Sequence, residues 1–154
     1  MHMRFPDLLD PGVISIAPPW RTFDDTIDGM LAMLAAVGAL RGADSVSARA
    51  ALVEREKHSS TAVLDIGVGV PHARLTGLAE PLVALAVATD GLYEAAPTVP
   101  IRIVALVLSP AQTTDAHLHL LAGIATALRS PTLRDALLQA PDAAAALATL
   151  DAFL

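Results

Sequence analysis

The sequence predicts an α/β protein, a three-layer α/β/α domain around a mixed β-sheet, with its elements in the order β-α-α-β-β-β-α-α-α. Three observations predict it. Short runs rich in Val, Ile and Leu share the chain with longer segments of three- and four-residue apolar spacing, and Pro and Gly punctuate the joins. Most of the short runs are apolar throughout, so the sheet they form needs helices on both faces. The composition is 54% hydrophobic but only 3% aromatic. The core is therefore built from Ala, Val, Leu and Ile, which lets helices lie close on a sheet.

Residues 13–17, VISIA, stand between Pro11-Gly12 and Pro18-Pro19 and read as the first strand. Trp20 and Arg21 lead into a helix capped by Thr22 or Asp24, whose side-chain oxygens can accept from free N–H groups of the first turn. In it Ile27, Met30, Leu31, Leu34 and Val37 recur at helical spacing, and Gly38 or Gly42 ends it. Asp44 or Ser45 caps a second helix running to about residue 56, with Val46, Ala50 and Val53 on one face. Ile66, Val68 and Val70 then alternate with Gly67 and Gly69, the two-residue period of a strand. Pro71 has no N–H to donate and ends the ladder. Residues 82–88 and 101–108, bounded by Pro and Asp-Gly signals, read as buried strands, and the GLYEAAPTVP between them reads as a loop. Helices follow at 113 to about 128, 132–138 and 142–153. Pro131 and Pro141 mark the breaks, with Thr132 and Asp142 as caps.

A length of 154 residues fits one domain spanning 1–154. The net charge of −6 argues against nucleic acid or an anionic membrane surface as a partner. The absence of cysteine excludes disulfides, thiolate catalysis and Cys-ligated metals. No basic-then-apolar leader opens the sequence, and no uncharged apolar run approaches the ~20 residues of a bilayer span. A cytoplasmic protein without direct membrane insertion is expected. There is no internal repeat, no G-x-x-x-x-G-K-[ST] and no G-x-S-x-G; GVGV lies inside a strand and lacks the third glycine of a dinucleotide fingerprint.

Of the five histidines, His2 stands in the terminus and carries no functional weight, and His58 lies in a polar, solvated turn after a helix. His72 follows Pro71, so it emerges at the tip of a buried strand, where sites in α/β sheets tend to lie. It is a candidate nucleophile; a structural histidine at a strand end is the other reading. Gly67 and Gly69 leave one strand face bare for close approach of another backbone or a partner protein, or simply for helix packing. His117 and His119 stand two apart on a helix and point about 200° from each other, so they cannot share a metal ion, and no metal site is expected. His117 lies near a helix N-terminus, where free N–H groups and the macrodipole favour an anion. Facing His72 it would complete an electropositive pocket of phosphate size; facing solvent it would only open a helix. Arg55 with Ser59, Ser60 and Thr61 precedes the strand. A guanidinium with hydroxyls suits a phosphoryl group, while helix-end capping and an ordinary turn are the plainer reading.

Arg55-Glu56-Lys57, Ser60-Thr61, the G-V-G-V-P-H-A-R of residues 67–74 and His117-Leu118 opening a late helix together resemble the enzyme IIA family of the phosphotransferase system. The likeness is to its fructose/mannitol and nitrogen-regulatory branch, covers nearly the whole chain, and implies the same element order. It implies that His72 is phosphorylated, on Nε2, and that His117 is the second active-site histidine, in contact with the phosphoryl group. By the same resemblance Arg55 helps to order the site and Thr61 falls in the family's S-T-G turn. A phosphotransferase of this kind uses no metal, nucleotide or other cofactor. The implied donor is an HPr-type phosphocarrier protein or its nitrogen-branch counterpart. The implied acceptor is a IIB domain in sugar uptake; the alternative is a regulatory target protein whose binding follows the phosphorylation state of His72. A third reading is a degenerate domain kept for protein contacts, and a homodimer is left open. Lacking cysteine, this chain cannot itself supply a IIB-type cysteine acceptor. It departs from the family's S-T-G-x-G-x-G-x-A-x-P-H, since Ala62-Val63-Leu64-Asp65-Ile66 replaces the glycine-rich opening with one extra residue and Gly69 stands where the family prefers Ala. Asp65 is expected to put negative charge near an incoming phosphate.

Overall fold

The computed structural model describes residues 4–41, 43–96 and 98–154. His2 and Gly42, which entered the reading above, lie outside them. Two short 3-10 turns precede β1 (Ile14–Ile16), and α1 (Phe23–Ala36) follows. Thr22 caps α1, its Oγ1 accepting from the N–H of Asp25 at 3.0 Å. The helix ends as a Schellman motif at Gly38, with φ +72°: Gly38 N–H donates to Ala35 and Ala39 N–H to Leu34. Asp44 caps α2 (Ser45–His58), accepting from Ser47 N–H at 2.7 Å. The buried stripe of α2 is Ala48 and Leu52, not the expected Val46, Ala50 and Val53, and Val46 is 79% exposed. With alanines on most faces of this helix, spacing alone does not choose a face; packing against the strand that carries His72 does.

The sheet is built around β8 (Ile103–Pro110), in which every residue is buried, so both faces are covered. β5 (Leu82–Val87) runs antiparallel beside it and β1 parallel beside β5. On the other side of β8 lie β3 (Val68–Gly69) and β4 (His72–Leu75), both parallel to it, and β2 (Ala62–Val63) pairs antiparallel with β3. The pairs Val68↔Ile103 and His72↔Val107 keep the same offset, so residues 68–75 run along β8 on one line with a break at Val70-Pro71.

Here the strand reading is corrected. Ile66 belongs to a 3-10 turn, Leu64–Ile66, and Gly67 leaves it in the left-handed region at φ +65°. Pro71 does not end the ladder, because its carbonyl still accepts from Val107 N–H at 2.9 Å. His72 therefore opens a strand within the sheet rather than standing beyond its tip.

The stretch read as a loop contains an antiparallel hairpin, β6 (Tyr93–Ala95) and β7 (Val99–Ile101). Pro100 inside β7 concealed it, since proline enters a strand only where no ladder N–H is needed. The chain closes with α3 (Thr114–Leu128), α4 (Pro131–Gln139) and α5 (Ala143–Phe153). Asp142 caps α5 as expected. Ser130, not Thr132, caps α4, accepting from Leu133 N–H at 3.2 Å with Pro131 in the first helical position, where its missing N–H costs nothing. α1 and α2 pack on each other and on β5 and β4; α3, α4 and α5 pack in series, with α3 on β8 and α5 on β1. The α/β fold with a mixed sheet and five helices is thus as the sequence predicts. Among the described residues no helix is long and apolar enough to cross a membrane.

Candidate functional site

Alternation along β4 puts His72 and Arg74 on one face, and their register partners Val107 and Ser109 put β8 residues beside them. α3 brings His117 to the same place, one turn into the helix, with its ring centroid 5.5 Å from that of His72 and the planes inclined at 52°. The two candidate histidines thus meet, although far apart in the chain.

His72 is half-buried, and its Nδ1 lies 2.7 Å from the Val70 carbonyl oxygen. A carbonyl only accepts, so Nδ1 carries the hydrogen and Nε2 is left with a lone pair. Burial lowers the pKa of the ring and the Arg55 cation adds to this, while the Val70 bond and the Glu56 carboxylate oppose it. The net direction keeps His72 uncharged at neutral pH. His117 is buried, with Nδ1 2.8 Å from Ser109 Oγ. Its pKa is also lowered, by burial first, then by His72 and Arg74.

Arg55 donates to the Ser59 carbonyl at 2.8 Å and so caps the end of α2, yet its charge still reaches His72. Thr61 spends both its donors on one carboxylate. Its N–H lies 3.0 Å from each Glu56 oxygen and its hydroxyl 2.6 Å from Oε2. It braces the turn before β2 and holds no spare hydrogen for a ligand. Sequence reasoning passed over Glu56 as a site residue although it stood in the quoted motif; the signal was an acid five residues before a hydroxyl at a helix end. It also passed over Arg74, which alternation from His72 could have placed. Arg74 donates to Thr114 Oγ1 and to the Ala111 carbonyl, and lowers the pKa of His117. Ser109 was missed too, the one hydroxyl in the otherwise apolar IVALVLSP.

Other expectations fall elsewhere. His58 is the last residue of α2, exposed, with Nε2 3.4 Å from Glu54. His119 lies away from His117, lining a groove with Phe5 and Phe153. Asp65 does not bring negative charge to the histidines, because it pairs with Arg129 at 3.6 Å. Arg129 ends α3, ~18 Å along the helix from His117. The bare face at Gly69 is filled by this chain rather than by a partner protein: the Tyr93 hydroxyl occupies the space a Cβ would need. That hydroxyl is buried without a hydrogen-bond partner, and burial, followed by the Glu56 charge, pushes its pKa up. Among the described residues no three His, Cys, Asp or Glu side chains gather as metal ligands.

A neutral imidazole with a lone pair on Nε2, a second buried ring beside it and two guanidinium groups nearby form a nucleophile in a setting that favours an anionic electrophile. The family model described as phosphoenolpyruvate-dependent sugar phosphotransferase system, EIIA 2, matches residues 7–152. A fructose-specific EIIA component of the phosphotransferase system from Haloferax volcanii is 33% identical over 129 residues, covering 83% of this chain and 82% of that one. A nitrogen regulatory protein from Pseudomonas aeruginosa is 37% identical over 95 residues, and the match spans 61% of each chain. Among solved structures, the nitrogen regulatory protein IIA-Ntr from Neisseria meningitidis superposes with a TM-score of 0.82 at 21% identity, covering 94% of this chain and 97% of that one. The mannitol enzyme IIA of Escherichia coli, solved in complex with phosphorylated enzyme IIB, gives 0.73 at 17% identity, covering 94% and 97%. At these identities the structural likeness is one of fold.

Proposed function

The chain belongs to the EIIA 2 family of the phosphoenolpyruvate-dependent sugar phosphotransferase system, and on that premise we propose that residues 1–154 form one cytoplasmic phosphohistidine carrier domain. Nε2 of His72 attacks the phosphorus of a phosphohistidine on an HPr-type carrier protein. The donor's N–P bond breaks as the new one forms, and the hydrogen stays on Nδ1, donated to the Val70 carbonyl. Charge on the equatorial oxygens, where the work of phosphoryl transfer lies, is met by His117 and Arg55, with no metal or nucleotide taking part. Thr61 acts at one remove by fixing Glu56 and the turn. The phosphoryl group then passes to a IIB domain. The fructose-specific relative and the mannitol IIA–IIB complex support that acceptor. The observation that carries the reading is the Val70 bond, which leaves Nε2 free beside the second ring. Since one copy of the chain supplies all these groups, a homodimer is not required.

The second reading is a regulatory protein of the nitrogen branch, favoured by the Pseudomonas relative. The same phosphorylation of His72 would then control binding to target proteins, with no sugar transferred.

Incubation with phosphoenolpyruvate, enzyme I and HPr is expected to leave an acid-labile adduct on His72. His72→Ala abolishes the label and His117→Ala slows it without unfolding the chain; normal labelling of His117→Ala would remove that residue's role. Adding a fructose-type IIB domain separates the two readings. Rapid loss of label supports transport, and a long-lived phosphoprotein supports regulation.

A further inference from the structure

Seven of the eight residues of β8 have no side-chain hydroxyl, and the exception, Ser109, is 1% exposed. A hydroxyl buried so completely must find a partner. The bond recorded for Ser109 Oγ runs to Nδ1 of His117 at 2.8 Å. That bond can be made in two ways. If Nδ1–H donated to Oγ, the serine hydrogen would be buried without an acceptor. If Oγ–H donates to Nδ1, one bond satisfies both groups, and the ring hydrogen goes to Nε2, the nitrogen left for the site.

We propose that Ser109 is a positioning residue for His117, holding its ring as the Nε2–H tautomer so that a hydrogen-bond donor is presented beside the lone pair of His72. The two rings of the site are then set in opposite tautomers by opposite neighbours. The Val70 carbonyl can only accept and leaves His72 a nucleophile; the Ser109 hydroxyl donates and leaves His117 a donor for a phosphoryl oxygen. A neutral ring is required for this arrangement, and the lowered pKa of His117 is consistent with one. The inference deepens the carrier reading and rests on it for its catalytic consequence, though not for the tautomer itself.

The test uses the full chain labelled with ¹⁵N-histidine. Long-range nitrogen–proton spectra of the unphosphorylated protein are expected to show Nε2 protonated in His117 and Nδ1 protonated in His72. In Ser109→Ala, His117 shifts toward a mixture of tautomers while His72 keeps its own, and phosphorylation by phospho-HPr slows by roughly tenfold, the size of effect one hydrogen bond commands. Ser109→Thr, which keeps the hydroxyl, restores the tautomer and the rate. A wild-type His117 protonated on Nδ1, or a Ser109→Ala spectrum unchanged at His117, would overturn the proposal. Should the wild type accept no phosphoryl group, the carrier reading falls, and the spectra still decide what Ser109 does.

Discussion

Burial lowers the pKa of both His72 and His117, and each ring has its Nδ1 engaged by a neighbour. Two pH effects follow. Protonation of His72 at Nε2 removes the lone pair, so the rate of phosphoryl uptake should be flat above pH ~6.5 and fall only at lower pH, with its inflection below the ordinary histidine value. Single-turnover labelling between pH 5 and 8, corrected for the donor's own titration, measures this; an inflection at or above 6.5 contradicts it. Stability has the same sign. The unfolded chain protonates these rings at about 6.5, before the folded one does, so as pH falls below that value the unfolded state binds more protons and stability is lost. Above it their contribution is constant. Urea midpoints at pH 7.5 and 5.5 should therefore differ more for the wild type than for His72→Gln/His117→Gln. An equal difference would mean the rings do not titrate as described.

Between residue and fold stands the segment 62–75, where the sequence is least transparent. Val68, Val70 and the glycines show the period of a strand, but nothing in that pattern reveals that Gly67 turns at φ +65° or that pairing resumes beyond Pro71. The reason lies in β8, which supplies ladder partners on both sides of the break. Caps were easier to read, because Thr22, Asp44 and Asp142 act through bonds to residues three positions on. The face of α2 and the β6–β7 hairpin depend on distant partners and were not legible. Gly69 gives this scale its test. A Cβ there meets the Tyr93 hydroxyl, so Gly69→Ala should destabilise by about 1–3 kcal/mol, as overpacking does. Tyr93→Phe removes a buried hydroxyl that has no partner and should be near neutral or stabilising. In the double variant much of the Gly69→Ala cost should disappear. Strictly additive denaturation free energies would show that the two positions do not touch.

For the molecule as a whole, the strongest sequence signals were the ones that needed no long-range knowledge. An eight-residue strand buried at every position demands helices on both faces, and the apolar runs announced that requirement. The meeting of His72 with His117 was implied by the family resemblance alone, since no local rule joins β4 to α3. Glu56, Arg74 and Ser109 came to light only when the sheet and α3 were assembled around the two rings. What the assembled fold supplies is selectivity between the nitrogens of one imidazole. Phosphorus-31 and nitrogen-15 spectra of the phosphorylated chain test that directly. A single phosphoryl group bonded to Nε2 of His72, absent from His72→Ala, is the predicted result; a bond to Nδ1, or full labelling of His72→Ala at another residue, would contradict it.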